Sequence, residues 1–174
     1  FGVDAVGPSS SSTEAIKPRI IIVGSEAHRS APPIKLADLH PEATPWQYNL
    51  AGVVQYYGHS KLYLHTWACA LAKRLDGKVD VQHLCPGAVA TEIGREAPAW
   101  AYPLLKVVMA IGFQKPAKAA EPVVWCAASP DAAGKNGLYL HLGREREPSP
   151  LASSVETGDG LWAAAHTLID QRMK

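Results

Sequence analysis

The run Arg19-Ile20-Ile21-Ile22-Val23-Gly24 constrains the fold of this 174-residue chain more than any other feature. Four consecutive β-branched side chains crowd a helix but fit a pleated strand. None of the four alternates with a polar residue, so the run predicts a strand covered on both faces, as in parallel sheets. A second strand is expected over Lys78–Cys85, through Val79-Asp80-Val81-Gln82-His83-Leu84, with Pro86-Gly87 closing it, and a third over Gly137–Leu142. Helical patterns lie between them. From about Tyr57 to Leu75 breakers are few, apolar residues fall at Leu64, Ala68, Leu71, Ala72 and Leu75, and Gly77 supplies a stop. A shorter helix is expected near Ala101–Ile111, and another opens at Lys115-Pro116 and stops at Ser129-Pro130. A last one is expected over Leu161–Met173, with Asp159 as its cap. Strand and helix alternating three times predict an α/β domain of parallel strands with right-handed crossovers.

Composition removes several alternatives. Seventeen Lys and Arg against sixteen Asp and Glu leave a net charge of +1, so no one-signed field is present to hold nucleic acid or an acidic membrane surface. An apolar content of 47% at that low charge excludes wholesale disorder. Cys69, Cys85 and Cys126 fit no zinc spacing and cannot all pair internally, which predicts reduced, partly buried thiols in an intracellular protein. The seven histidines form no HExxH or HxH, so metal chemistry has no support. The longest apolar stretch, Ala101–Phe113, is broken by Lys106 and is too short to span a bilayer. Residues 1–18, with Gly7, Pro8 and Ser9–Ser12, read as a flexible loop, and the chain then enters a buried strand directly. The expectation is that residues 19–174 are the later part of one longer domain.

Open parallel sheets take ligands at the carboxyl ends of their strands, and two such ends carry distinctive residues. The first ends Val23-Gly24-Ser25, with a hydroxyl just past the strand; the second ends Cys85-Pro86-Gly87-Ala88-Val89-Ala90-Thr91, a turn in which glycine admits close approach. Between them, Tyr57 and Lys61 are four apart on a helix and share one face. A free phenol, with a pKa of about 10, is a poor base near neutrality. A nearby cation favours the phenolate, which lets a tyrosine exchange protons with an alcohol or carbonyl oxygen. Alone, each piece has a bland reading: a chance helix pair, a turn-forming serine, an ordinary Pro-Gly turn. Their order along the chain is what points to chemistry.

That order resembles the short-chain dehydrogenase/reductase family, and most closely its retinol-dehydrogenase-like branch. The residues carrying the resemblance are Arg19–His28, Tyr57-Gly58-His59-Ser60-Lys61-Leu62 and His83–Glu92, set against the family's Val-Ser-Ser strand end, Tyr-x-x-x-Lys and Pro-Gly-x-Val-x-Thr. The resemblance implies the C-terminal portion of a Rossmann-like, doubly wound parallel sheet, here three strands with crossover helices. It implies hydride transfer between a nicotinamide and an alcohol or carbonyl. Ser25 would orient the substrate oxygen, Tyr57 would be the general acid/base, and Lys61 would bind the nicotinamide ribose and tune the tyrosine. Pro86, Gly87, Val89 and Thr91 would line the cofactor. The branch leans to NADP, with NAD as the alternative. The expected partner is a small alcohol or carbonyl (retinoid, steroid or lipid), with no nucleic acid and no transmembrane segment in this chain. His28 and His83 read as structural.

The departures are equally specific. The family's Gly-x-x-x-Gly-x-Gly turn, its Asn-Asn-Ala-Gly segment and the tetrad asparagine are absent from these residues, which implies that an N-terminal cofactor-binding half lies outside them. Gly24 stands where the family usually has the first serine of a pair. In the family's sheet the Arg19–Val23 strand would be interior, paired with a strand upstream of Phe1. A membrane anchor, where relatives have one, would also lie upstream. A chain standing alone would instead be a non-catalytic fragment or pseudoenzyme, acting as a binding or homo-oligomerising module.

Overall fold

The computed structural model describes residues 17–36, 50–89 and 113–173. The expected helix near Ala101–Ile111, the loop over residues 1–16 and Thr91 lie outside them. Strand β1 is Arg19–Val23, β2 is Asp80–Cys85, β3 is Tyr139–His141 and β4 is Arg144–Glu145. The sheet order is β1-β2-β3-β4, with β1, β2 and β3 parallel and β4 antiparallel to β3. The α/β expectation with three parallel strands and crossover helices is therefore met, and β4 is an addition. Two residues are too short for any hydropathy pattern, and β4 exists because the Leu142-Gly143 turn folds the chain back on β3. Both turn residues have positive φ, 53° and 75°.

Helix α1 spans Leu50–Arg74, α2 Pro116–Ala128, α3 Pro150–Ser153 and α4 Val155–Arg172. Helix α1 begins two turns before the pattern at Tyr57 suggested, since no proline interrupts residues 50–56. It ends where Gly77 takes a left-handed φ of 77°. Proline opens α2 as expected, and Ser129 closes it. Helix α4 begins six residues before the expected start. Its cap is Ser154, whose hydroxyl accepts from Thr157 N, and not Asp159, which lies in the second turn and pairs with Arg74 at 2.6 Å. A serine at the junction of two helices outcompetes the carboxylate because it alone precedes the first unsatisfied N–H groups.

Alternation along β2 decides which helix covers which face. Leu84 joins Leu140, Leu138 and Cys126 in one apolar cluster, packed with Ile21, Val123 and Trp125 under α2. His83 turns the other way, toward His65 and Cys69 of α1. The sheet thus has a helix on each face, and all six residues of β2 are buried. Strand β1 departs from expectation. Ile20 and Val23 are 37% and 46% exposed, because among the described residues β1 has a neighbouring strand on one side only. Arg19 at its start donates to the carbonyls of Cys126 and Ser129, closing the C-terminal end of α2. On the outer side of α1, Trp67 stacks on Trp162 of α4 at 4.4 Å, and Ala70 meets Gly158. The three thiols are free, with Cys85 and Cys126 buried.

Candidate functional site

The site forms where the ends of β1 and β2 meet the middle of α1. Gly24 extends β1 by one hydrogen bond, its N–H donating to Leu84 O at 2.7 Å. Ser25 then caps a short 3-10 turn, Glu26–Ser30, its Oγ accepting from Ala27 N at 3.2 Å. With its acceptor side used in this way, the Ser25 hydroxyl keeps its proton for an outside acceptor. That turn docks on α1 at Gly58, where a Cβ would lie 3.1 Å from Ala27 O and 3.7 Å from Ala31 Cβ. A glycine at this point lets the Ser25 turn come against the helix one residue from Tyr57.

Tyr57 is 47% exposed on α1, and Lys61 sits one turn on with its Nζ 5.5 Å from the centre of the Tyr57 ring. The ammonium lies over the ring, an electrostatically attractive placement against the π face. The Ser60 hydroxyl is spent on Tyr57 O. The structure therefore brings Tyr57 and Lys61 into contact and the Ser25 turn against their helix.

Pro86, Gly87 and Val89 occupy a separate turn past β2. Gly87 has φ 88°, and a Cβ there would lie 2.3 Å from Leu142 Cδ2 and 2.8 Å from Gln114 Nε2. The left-handed backbone favours glycine, and a Cβ there would have to displace the tips of Leu142 and Gln114. Gln114 clamps this turn twice, through Nε2 to Pro86 O and through its N–H to Ala88 O, and bridges Val89. Beside it opens a cavity of about 420 Å³ lined by Pro86, Gln114, Trp125, Leu140 and Leu142. Ser25, Tyr57 and Lys61 do not line it, whereas Pro86, from the turn past β2, does.

Behind Ser25, His28 and His83, expected to be structural, are joined by His65, which the sequence reading did not single out. His28, His65 and His83 are all fully buried around Tyr139. Burial, with His83 and His28 close by, pushes the His65 pKa down to about 3; burial pushes His83 down to about 4 and lowers His28. The Tyr139 hydroxyl, raised by burial and by Glu26, donates to the Glu26 carboxylate. The apolar pattern Leu64, Ala68, Leu71, Ala72 and Leu75 gets Ala68 and Ala72 right and leaves out His65, because a histidine carries no hydropathy signal for the core. Among the described residues of α1 the buried ones are Gly52, Gly58, Leu62, His65, Thr66, Ala68, Ala70 and Ala72, whereas Leu64, Leu71 and Leu75 are half-buried. The spacing 58-62-65 was the available signal. Among the described residues there is no cluster of metal-ligating side chains, and no helix is long and apolar enough to cross a membrane.

No family model matches the chain. Individual proteins do. Mouse retinol dehydrogenase 14 is 32% identical over 154 residues, 87% of this chain and 44% of that protein. Human WW domain-containing oxidoreductase is 31% identical over 163 residues, 89% of this chain and 38% of that protein. A solved structure of an uncharacterised protein from Mycobacterium paratuberculosis superposes with a TM-score of 0.58 at 20% identity, over 87% of this chain and half of the other, which shares the fold as part of a larger one. The chain spans about 40% of the length of these curated relatives. With relatives at about 30% identity along most of its length and an α/β sheet consistent with part of a Rossmann fold, the chain belongs to the short-chain dehydrogenase/reductase family.

Proposed function

We propose that this chain carries the catalytic residues of an NAD(P)-dependent oxidoreductase that interconverts an alcohol and a carbonyl, with NADP preferred and a retinoid, steroid or lipid carbonyl as substrate. The observation that carries the reading is the Tyr57–Lys61 pair on an exposed face of α1, docked at Gly58 against the turn that Ser25 caps. The residues present fit the nicotinamide end of such a cofactor, since the partly exposed turn at Pro86, Gly87 and Val89 stands at the same end of the sheet as Ser25. When bound, the cofactor supplies or accepts the hydride. Ser25 donates a hydrogen bond to the substrate oxygen and holds the negative charge that grows there. Tyr57 gives its proton to that oxygen in reduction and takes it back in oxidation. Lys61 would hold the nicotinamide ribose and keeps a positive charge beside the phenol.

Tyr57→Phe tests the reading, because it removes the proton and keeps the ring. NADPH-dependent reduction of retinal, decanal and a 3-ketosteroid by the full protein should fall about 100-fold or more, with thermal unfolding unchanged. Turnover within a few-fold of wild type would remove Tyr57 from the chemistry. A wild-type protein that reduces none of the three carbonyls and binds no NADPH would favour a non-catalytic module.

A further inference from the structure

Both backbone polar groups of Ser25 end on buried imidazoles. Its N–H donates to His65 Nε2 at 3.2 Å, and its carbonyl lies 2.8 Å from His28 Nδ1. The two rings stand 4.3 Å apart, and both are fully buried. A backbone N–H can only donate, and the Ser149 N–H points at His28 Nε2 at 3.2 Å. These contacts assign the protons. His28 and His65 each carry theirs on Nδ1. His28 donates it to Ser25 O, and His65 donates its own to His83 Nδ1 at 2.7 Å, which leaves the His83 proton on Nε2, 3.9 Å from Cys69 Sγ. Gly24 makes the arrangement possible. A Cβ at this position would stand 2.2 Å from His65 Nε2, closer than any side chain tolerates, so a larger residue excludes the imidazole from the Ser25 N–H.

We propose that His65 and His28 are positioning residues for Ser25, and that Gly24 is the small residue that admits them: together they fix the Ser25 backbone so that its hydroxyl meets the substrate oxygen. The proposal rests on the reading of Ser25 given above. Local capping by Ala27 N holds the side-chain oxygen, and the His28 N–H also reaches Ser25 O at 3.3 Å, but the Ser25 N–H is received by the His65 ring. A protonated His65 would set one N–H against another and release Ser25. The groups acting on it oppose protonation in sum: burial, His83 from β2 and His28 from the 3-10 turn disfavour the charged ring, and Glu26 from the same turn favours it. Of these only Glu26 is anionic, and its carboxylate is engaged by Tyr139 and Arg29.

The experiment has a spectroscopic arm and a kinetic arm, both on the full protein. Long-range 15N–1H spectra at pH 7 should show His28 and His65 as fixed Nδ1–H forms and His83 as an Nε2–H form, with slow exchange of the Ser25 amide. Gly24→Ala should speed that exchange by about tenfold or more and unfix the His65 form. A proton on His65 Nε2, averaged His65 resonances, or an unaltered Ser25 amide in Gly24→Ala overturns the clamp whatever the activity. In the kinetic arm Ser25→Ala should lower kcat about 100-fold, as removal of one charge-stabilising donor does. His65→Phe should approach the same kcat with KM for NADPH within twofold of wild type, and the double variant should be no worse than Ser25→Ala alone. His65→Gln, which keeps an acceptor where Nε2 stood, should recover most of the kcat lost in His65→Phe. Additive losses, or a His65→Phe variant with wild-type kcat, would refute positioning. Wild-type kcat in Ser25→Ala would refute the role of Ser25 itself, and the spectra alone would then decide the clamp.

Discussion

In the function proposed above, Lys61 would serve two ends: its ammonium lies 5.5 Å from the Tyr57 ring centre, and the same charge would hold a nicotinamide ribose. Lys61→Ala should therefore weaken NADPH binding and lower kcat together, each by about tenfold or more, measured by fluorescence titration and initial rates. A change in only one of the two would separate the roles. The Ser25, Tyr57 and Lys61 candidates were legible in the sequence because each sits at a local landmark: a strand end, or an i,i+4 pair whose geometry is set by the helix itself. His65 was not legible. A histidine in a helix looks like surface, and only the approach of β1 and β2 makes it interior.

At the scale of elements, the ends are held by side chains from distant parts of the chain. Arg19, the first residue of β1, donates at 3.0 Å to Cys126 O and at 2.7 Å to Ser129 O and so closes α2. Arg19→Met keeps the stem and removes the donors. It should cost about 1.5–3 kcal/mol, the range for hydrogen bonds involving a charged group, read as a lower urea midpoint at unchanged m-value. An unchanged midpoint would mean that water satisfies those carbonyls equally well. The starts of α2 and the end of α1 were readable from Pro116 and Gly77, because proline and glycine act on their own backbone. The start of α4 was not. Ser154 and Asp159 are both good caps, and the choice depends on where α3 releases the chain and on Arg74 reaching Asp159.

For the molecule as a whole, the buried histidines make stability depend on pH with a defined sign. Unfolded histidine titrates near 6.5, and folded His65 and His83 titrate at about 3 and about 4. Between these values the unfolded chain binds more protons than the folded one, so stability is full above about pH 6.5 and falls as pH drops. The slope is about 1.4 kcal/mol per pH unit for each histidine concerned. Thermal or urea unfolding followed from pH 7.5 to pH 4.5 checks this, and a flat profile down to pH 5 would show that the imidazoles are not buried neutral. The outer edge of β1 gives a second prediction at this scale. Ile20 and Val23 are exposed there, and β1 has no second strand neighbour among the described residues. Such an edge is a template for pairing. Residues 1–174 prepared alone should dimerise or aggregate in sedimentation, melt with low cooperativity and bind NADPH weakly; a monomeric cooperative melt with micromolar NADPH affinity would contradict both points.

By itself the sequence determined what depends on neighbours a few residues away. The β-branched run made β1 a strand, the spacing of Tyr57 and Lys61 put them on one face, and Pro116, Gly77 and Gly87 set turns through their own backbones. The tertiary structure decided what depends on residues brought together from far apart. Which face of α1 is buried, and therefore that His65 is interior, follows from packing against His83 and Ser25, 18 and 40 residues away. Gly24 takes its meaning in the same way. Its backbone is ordinary extended strand end, and its need to be glycine comes only from an imidazole that the chain supplies forty-one positions later and packing carries to within 2.2 Å of where a side chain would begin.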